Sequence, residues 1–135
     1  MTTALPQSWS VTLAVSPVPK GRPRMGNGRV YTPARTAQFE TTVRWLLRQQ
    51  HIPLLTAAEL RVDVQFWVAR MDADADNYLK ALFDATNKIG WRDDRQVREV
   101  HACLDKAAGG IEPHIEFACR VRLSWQGTTR PLVIR

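Results

Sequence analysis

Residues 71–97 read MDADADNYLKALFDATNKIGWRDDRQV, and this segment decides the fold because its hydrophobic period changes within it. Asp72, Asp74 and Asp76 alternate along an extended stretch, so their side chains are expected on one side of the backbone. Apolar residues then recur at helical spacing over residues 79–86. The carboxylates therefore lie where the chain passes from a strand into a helix.

The carboxylates of this segment suit a divalent metal ion. Hard cations such as magnesium take several oxygen ligands, usually carboxylates together with water and substrate phosphates. In phosphodiester cleavage such an ion lowers the pKa of its bound water and stabilises charge on the leaving oxygen. Lys80 follows Asp76 by one helical turn, where an ammonium group can neutralise charge on the scissile phosphate. The pattern therefore predicts metal-dependent phosphodiester cleavage.

A structural alternative gives the same residues ordinary roles. Asp76 would cap the helix, and Lys80 would form i,i+4 ion pairs with Asp76 and Asp84. Asp93 and Asp94 would lie in a turn. Each role is common by itself, so the choice depends on the rest of the chain.

The charge distribution favours the metal-site hypothesis. The chain has 19 Lys and Arg against 13 Asp and Glu, a formal charge of +6, which favours a phosphate-rich partner. Glu40 is the only acid among the first 50 residues. The basic residues of that region are Lys20, Arg22, Arg24, Arg29, Arg35, Arg44 and Arg48. A basic region next to an acidic cluster predicts a nucleic-acid path that leads to a metal ion.

Three sequence motifs occur in a definite order. P-x-P-K-x-R-P-R spans residues 17–24, D-x-D-N-x-x-K-x-x-x-D spans residues 74–84, and W-x-D-D-x-Q-V spans residues 91–97. Together they resemble the RusA-type Holliday junction resolvases, small endonucleases that nick four-way DNA junctions symmetrically. Three ordered motifs are far more specific than a single match.

The resemblance implies the residues of the active site. The family's catalytic, metal-binding acids correspond to Asp74, Asp76 and Asp94, and its catalytic lysine corresponds to Lys80. It further implies magnesium as the cofactor, with manganese able to substitute, and no organic cofactor. Asp72 lies outside the match and is interpreted as a spare or supporting acid.

A second group of residues is expected to contact DNA. Residues 17–31 are rich in proline, glycine and arginine, which favours an irregular, extended loop. Guanidinium groups on such a loop suit phosphate oxygens. Asp84 and Asp93 fit the motifs as support and turn residues. The expected nucleic-acid-binding residues are Lys20, Arg22, Arg24, Arg29 and Asn77.

The pattern of the whole chain predicts an α+β fold with a single mixed sheet and two helices. The expected order of elements is strand 9–15, helix 33–50 with Thr32 as its cap, strand 59–69, a helix after Asp76, strand 97–106 and strand 115–123. The last two strands are expected to pair as a hairpin. One RusA-like domain is expected over residues 1–135, with a tail over residues 126–135.

Composition excludes several classes of protein. No apolar run has the length of a membrane span, and the amino terminus lacks the pattern of a signal peptide, so a cytoplasmic protein is expected. Cys103 and Cys119 are too few and too far apart for a disulfide framework or a zinc site. His51, His101 and His114 are scattered and are interpreted as surface or half-buried side chains.

The leading hypothesis is a magnesium-dependent endodeoxyribonuclease that resolves Holliday junctions by paired symmetric nicks in DNA recombination and repair. Its expected partners are four-way DNA junctions and a second copy of the chain. The resemblance implies this homodimer, and two symmetric nicks require two sites related by a two-fold axis. The alternatives are a non-catalytic nucleic-acid-binding module and a nuclease for other branched or single-stranded DNA.

Overall fold

The computed structural model describes residues 8–21, 24–26, 29–31 and 33–122. A short 3-10 helix, Asp94–Gln96, lies just before the fifth strand. The tail expected over residues 126–135 lies outside the described residues. The strands and α-helices, in chain order, are β1 (Ser8–Leu13), β2 (Arg24–Gly26), β3 (Arg29–Tyr31), α1 (Ala34–Gln49), β4 (Leu60–Val68), α2 (Ala75–Thr86), β5 (Val97–Lys106) and β6 (His114–Val121).

Four of these strands form a mixed sheet in the order β1-β6-β4-β5. β4 is parallel to β5 and antiparallel to β6, and β1 pairs antiparallel with β6. Two parallel neighbours need a crossover connection, and α2 supplies it between β4 and β5. A four-stranded mixed sheet with two helices confirms the predicted α+β class.

β4 is one of the two central strands of the sheet, and the acidic segment follows its end. Alternate residues of β4 are buried while the residues between them are half-buried, as expected for a strand with one face on the core. The buried faces of α1 and α2 belong to the same core. The buried residues of β4 are Leu60, Val62, Val64, Phe66 and Val68.

Trp91 anchors the connection between α2 and β5. Its side chain is fully buried, and its ring centroid lies 6.3 Å from that of Trp9, 5.2 Å from that of Phe83 and 6.2 Å from that of Phe117. The indole N–H of Trp9 donates a hydrogen bond of 3.3 Å to the carbonyl of Gly90. This aromatic cluster fixes the chain immediately before the 3-10 helix.

Gly90 leaves no room for a side chain in this connection. A Cβ atom there would lie 2.6 Å from Cζ2 of Trp9 and 2.8 Å from Cγ2 of Thr86. We expect Gly90→Ala to lower the free energy of unfolding by about 1–3 kcal/mol, because overpacking forces neighbouring side chains to move. Urea denaturation measures this difference.

The matched control for this prediction is Gly109→Asn. Gly109 has a φ of 62° with open space around it, and asparagine tolerates that backbone conformation. We therefore expect the free energy of unfolding to fall by well under 1 kcal/mol, since surface substitutions away from tightly packed sites change stability little. An equal loss in both variants would contradict the overpacking argument.

The basic segment at residues 17–31 is more regular than the irregular loop expected there, so that prediction was wrong. β2 and β3 pair antiparallel over three residues each. No proline follows Pro23 in this segment, so the ladder keeps its backbone donors. In the sequence, Asn27-Gly28 stands between the residues of β2 and β3, and Asn-Gly is the residue pair typical of two-residue hairpins.

The predicted hairpin between the last two strands was also wrong. β5 and β6 lie on opposite sides of β4. The physical reason is the crossover: α2 returns the chain so that β5 pairs parallel with β4, and the other side of β4 is left for β6. No residue of β5 is fully buried, as suits an edge strand. The amide of Ala107 donates to the carbonyl of Val68 over 2.7 Å, which ties the end of β5 to the end of β4.

α1 begins one residue later than predicted. Ala34 is its first residue, and Pro33 occupies the N-cap position without a side-chain cap hydrogen bond. Thr32, the predicted cap, lies outside the described residues. Neither helix of the described part of the chain is long and apolar enough to span a membrane.

Candidate active site

The amino-terminal end of α2 carries two of the three predicted metal ligands. Asp74 is the N-cap residue, and Asp76 lies in the first turn. Asp74 makes no side-chain cap hydrogen bond, so the helix does not use its carboxylate. Asp76 is not the cap, contrary to the structural alternative. Negative charge at this end of a helix is favoured by the helix dipole.

Lys80 lies directly beside this acidic turn. Its Nζ is 3.3 Å from Oδ2 of Asp76, and 60% of the Lys80 side chain and 74% of the Asp76 side chain are exposed. An exposed pair of this kind contributes little to stability. Both groups can therefore rearrange around a phosphate or a cation with little loss of stability.

Asp94, the third predicted ligand, begins the 3-10 helix before β5. Its Oδ1 accepts a hydrogen bond of 2.7 Å from the indole N–H of Trp91. Partial burial raises the pKa of the Asp94 carboxyl, and the nearby Asp84 and Asp93 raise it further, while the Trp91 hydrogen bond opposes the shift. The buried indole therefore fixes the orientation of this carboxylate.

Asp93 and Gln96 form a capping box at the start of the 3-10 helix. Oδ1 of Asp93 accepts from the amide of Arg95 over 2.8 Å, and Oε1 of Gln96 accepts from the amide of Asp93 over 2.9 Å. The amide group of Gln96 also donates to the carbonyls of Leu55 and Ala57. Asp93 is thus a turn residue, as expected, and the W-x-D-D-x-Q-V motif builds a rigid support for Asp94.

The three predicted metal ligands lie at the two ends of α2. Asp74 and Asp76 are at its start, whereas Asp94 lies near Asp84 in the last turn. α2 has 12 residues. A helix of that size is about 18 Å long. Among the described residues, no three carboxylate, imidazole or thiol groups are grouped so that they could hold one metal ion. The ligands have the chemistry that magnesium prefers, but one chain does not bring them together.

Lys20, a predicted DNA contact, lies between the two helices. Its Nζ is 2.8 Å from Oε2 of Glu40 on α1 and 2.8 Å from Oδ2 of Asp84 on α2. Its backbone amide donates to the carbonyl of Asn77 over 2.9 Å. The role of Lys20 and Asn77 in DNA contact stays a prediction, and the structure adds an ion-pair network that the sequence did not indicate.

The predicted arginine contacts belong to the segment that follows Lys20. Arg24 is in β2 and Arg29 is in β3, while Arg22 lies outside the described residues. This basic hairpin continues from a backbone that is hydrogen-bonded to α2, the helix that carries Lys80. The contact of these arginines with DNA stays a prediction.

The two cysteines differ in burial, and two of the histidines contact nearby acidic residues. Burial raises the pKa of the Cys119 thiol to about 12, so it stays protonated. Cys103 is exposed and free. His101 Nε2 lies 2.7 Å from Glu99, and His114 contacts the Glu112 carbonyl and Glu116.

Sequence reasoning missed several supporting residues. Trp91 and Gln96 support Asp94 and Asp93 through hydrogen bonds, and the signal for this role is their fixed spacing from the two aspartates in the motif. Glu40 is the only acid among the first 50 residues, and that position in a basic region was the signal that it pairs with a cation.

Comparison with known proteins identifies the family. Residues 14–120 match the family described as Endodeoxyribonuclease RusA. The chain is 33% identical over 107 residues to a protein of Aquifex aeolicus (strain VF5) named Crossover junction endodeoxyribonuclease RusA, and the alignment covers 73% of this chain and 83% of that protein.

The fold and the residues at α2 define a class of protein. Exposed carboxylates with an adjacent lysine, in a chain whose amino-terminal region is basic, have the composition of a site that cleaves nucleic acid. The chain belongs to the RusA family of endodeoxyribonucleases. It is therefore a nuclease, which confirms the enzyme class and the family that the three motifs indicated.

Proposed function

We propose that this protein is a magnesium-dependent endonuclease that resolves Holliday junctions by paired symmetric nicks. Membership of the RusA family supports this function, as does a relative whose name specifies crossover junctions. The structural observation that carries it is the exposed group at the start of α2, where the Lys80 ammonium lies 3.3 Å from Asp76 and no cap hydrogen bond occupies Asp74.

The residues of the site have separate tasks in this proposal. Asp74, Asp76 and Asp94 would hold magnesium, with manganese able to substitute. Magnesium held there would provide an activated water and stabilise charge on the leaving oxygen. Lys80 leaves its exposed pair with Asp76 and neutralises charge on the scissile phosphate. The Trp91 indole holds Asp94 in one orientation through the 2.7 Å hydrogen bond.

A second copy of the chain is the simplest way to bring the three aspartates together. β5 pairs only with β4 among the described residues, so its other edge is available for pairing. Two β5 strands paired antiparallel about a two-fold axis would put the start of one strand beside the end of the other. Asp94 precedes the start of β5, and Asp74 and Asp76 follow the end of its parallel neighbour β4.

This arrangement would give two equivalent sites. α2 runs back along the sheet, so antiparallel pairing would bring the end of one α2 toward the start of the other. Each site would then combine Asp74 and Asp76 of one chain with Asp94 of the other. Two sites related by a two-fold axis also match the two strands that a symmetric junction presents. The homodimer is thus part of the proposed mechanism.

A substrate panel separates this function from its alternatives. Purified protein is incubated with a four-way junction, a flap, single-stranded DNA and a linear duplex in the presence of magnesium. We expect nicks in the four-way junction at rates far above those in the other three. Preferred cutting of the flap or the single strand would indicate a nuclease for other DNA, and binding without cutting would indicate a non-catalytic module.

A further inference from the structure

Lys20 occupies a position that differs from that of an ordinary DNA-contacting lysine. Only 24% of its side chain is exposed, and its ammonium group lies 2.8 Å from carboxylate oxygens of both Glu40 and Asp84. Partial burial alone would lower the pKa of Lys20, but the hydrogen bonds to Asp84 and Glu40 outweigh it and hold the pKa above its ordinary value. Its charge is already neutralised within the protein.

The Lys20 network links α1 to α2. Glu40 is on α1 with 10% of its side chain exposed, and Asp84 is on α2. Arg44 bridges the same two residues, since its Nη2 lies 3.5 Å from Oε1 of Glu40 and 3.4 Å from the carbonyl of Asp84. A buried carboxylate is stable only while its cations stay in place. The two helices and the segment that carries Lys20 are therefore held together.

The backbone around Lys20 is fixed at the same place. The amide of Gly21 donates to Oγ1 of Thr36 over 3.0 Å, and the Thr36 hydroxyl donates to the carbonyl of Pro19 over 3.4 Å. A Cβ at Gly21 would lie 2.8 Å from Cγ of Pro33, so the segment lies close against the start of α1. The arginine-containing hairpin leaves from this attachment point.

We propose that Lys20 is a positioning residue that attaches the base of the basic hairpin to α1 and α2 and does not itself bind phosphate. The inference rests on the proposed nuclease function. Asp84, one partner of Lys20, is also near Asp94. The network therefore sets both the direction of the hairpin and the surroundings of the carboxylate that precedes β5.

The first test compares the salt dependence of binding with the cleavage rate for Lys20→Met. The logarithm of the DNA-binding constant falls as the logarithm of the salt concentration rises, and loss of one phosphate contact makes this slope less steep by about 0.9. A positioning role leaves that slope unchanged and lowers the cleavage rate at saturating junction by about tenfold or more, because misplaced binding groups impair the reaction. Lys20→Arg should recover most of the rate, since it can keep both ion pairs.

The second test does not depend on activity. An arginine-specific protease cuts after Arg24 and Arg29 in the hairpin. We expect Lys20→Met and Glu40→Gln to be cut there several times faster than the unmodified protein, because the base of the hairpin is released. Arg48→Met is the matched control: it removes one exposed positive charge from α1, with no ion pair to the described residues, and should leave the rate of hairpin cutting unchanged.

The outcomes distinguish the two proposals. A protein that cuts no DNA contradicts the proposed function, while faster proteolysis in Lys20→Met and Glu40→Gln would still support the attachment. If Lys20→Met made the salt dependence of binding less steep and left the rate of proteolysis unchanged, the positioning role would be overturned and Lys20 would be a phosphate-binding residue. Full cleavage by Lys20→Met with unchanged proteolysis would also overturn it.

Discussion

Asp76→Asn is expected to bind four-way junctions as tightly as the unmodified protein and to cut them at least about a hundredfold more slowly, since even outer-shell changes at metal sites cost up to that much. The substitution keeps the shape of the side chain and removes the negative charge that a magnesium ligand needs. The side chain is 74% exposed, so the fold has little dependence on it. Removal of a negative charge near phosphate does not weaken DNA binding.

Binding and cleavage are measured on one labelled junction, by gel shift in calcium and by product formation in magnesium. Asp72→Asn is the matched control, because it makes the same chemical change four residues earlier, outside the family motif. We expect Asp72→Asn to keep most of the cleavage. Undiminished cleavage by Asp76→Asn would remove Asp76 from the metal site, and loss of cleavage in Asp72→Asn alone would shift the assignment to Asp72.

A mixture of Asp76→Asn and Asp94→Asn chains is expected to recover cleavage that neither variant has alone. If each site takes Asp76 from one chain and Asp94 from the other, a mixed dimer has one site with both defects and one intact site. Statistical mixing of equal amounts makes half of the dimers mixed, so about one quarter of the sites should be active. A site built within one chain would give no recovery, because every site would carry one defect.

The control for mixing uses Asp74→Asn with Asp76→Asn. Both residues lie at the same end of α2, so every site in the mixed dimer keeps one defect. We expect no recovery from this pair. The variants are unfolded and refolded together to exchange chains, and initial rates are compared. Equal recovery in both mixtures would contradict a shared site, and the absence of recovery in both would favour a rearrangement within one chain.

Much of the fold follows from local pattern. The period-two alternation in β4 and the period change at the aspartates predict the strand and helix that carry the site, because one face of each must be buried. The three motifs indicate the family through residues that are local in sequence. These features need no knowledge of which strands are neighbours.

The errors arose where distant pairing decides the structure. β5 and β6 are consecutive in the chain, but β4 lies between them in the sheet, parallel to β5 and antiparallel to β6. The prolines of residues 17–24 favoured a loop over the β2–β3 hairpin, although the pair Asn27-Gly28 in the sequence is typical of a hairpin turn. Single-sequence periodicity contains no information on strand order.

The site shows the same limit. Motif spacing indicated the acids at both ends of α2 but not the distance between them, which depends on the direction of the helix relative to the sheet. The contact of Lys20 with DNA stays a prediction from the motif and the basic segment, and neither indicated the ion pairs of Lys20 with Glu40 and Asp84, which are 20 and 64 residues away in sequence. Ion pairs between distant elements are not visible in a local pattern.

The most direct test of the central claim is to map nicks on a four-way junction labelled in turn on each strand, with magnesium and with EDTA. The proposed function predicts two nicks at symmetric positions on opposing strands, in magnesium only, and none on a linear duplex of the same sequence. Binding with no nick in magnesium or manganese, or nicks that persist unchanged in EDTA, would contradict a metal-dependent junction resolvase.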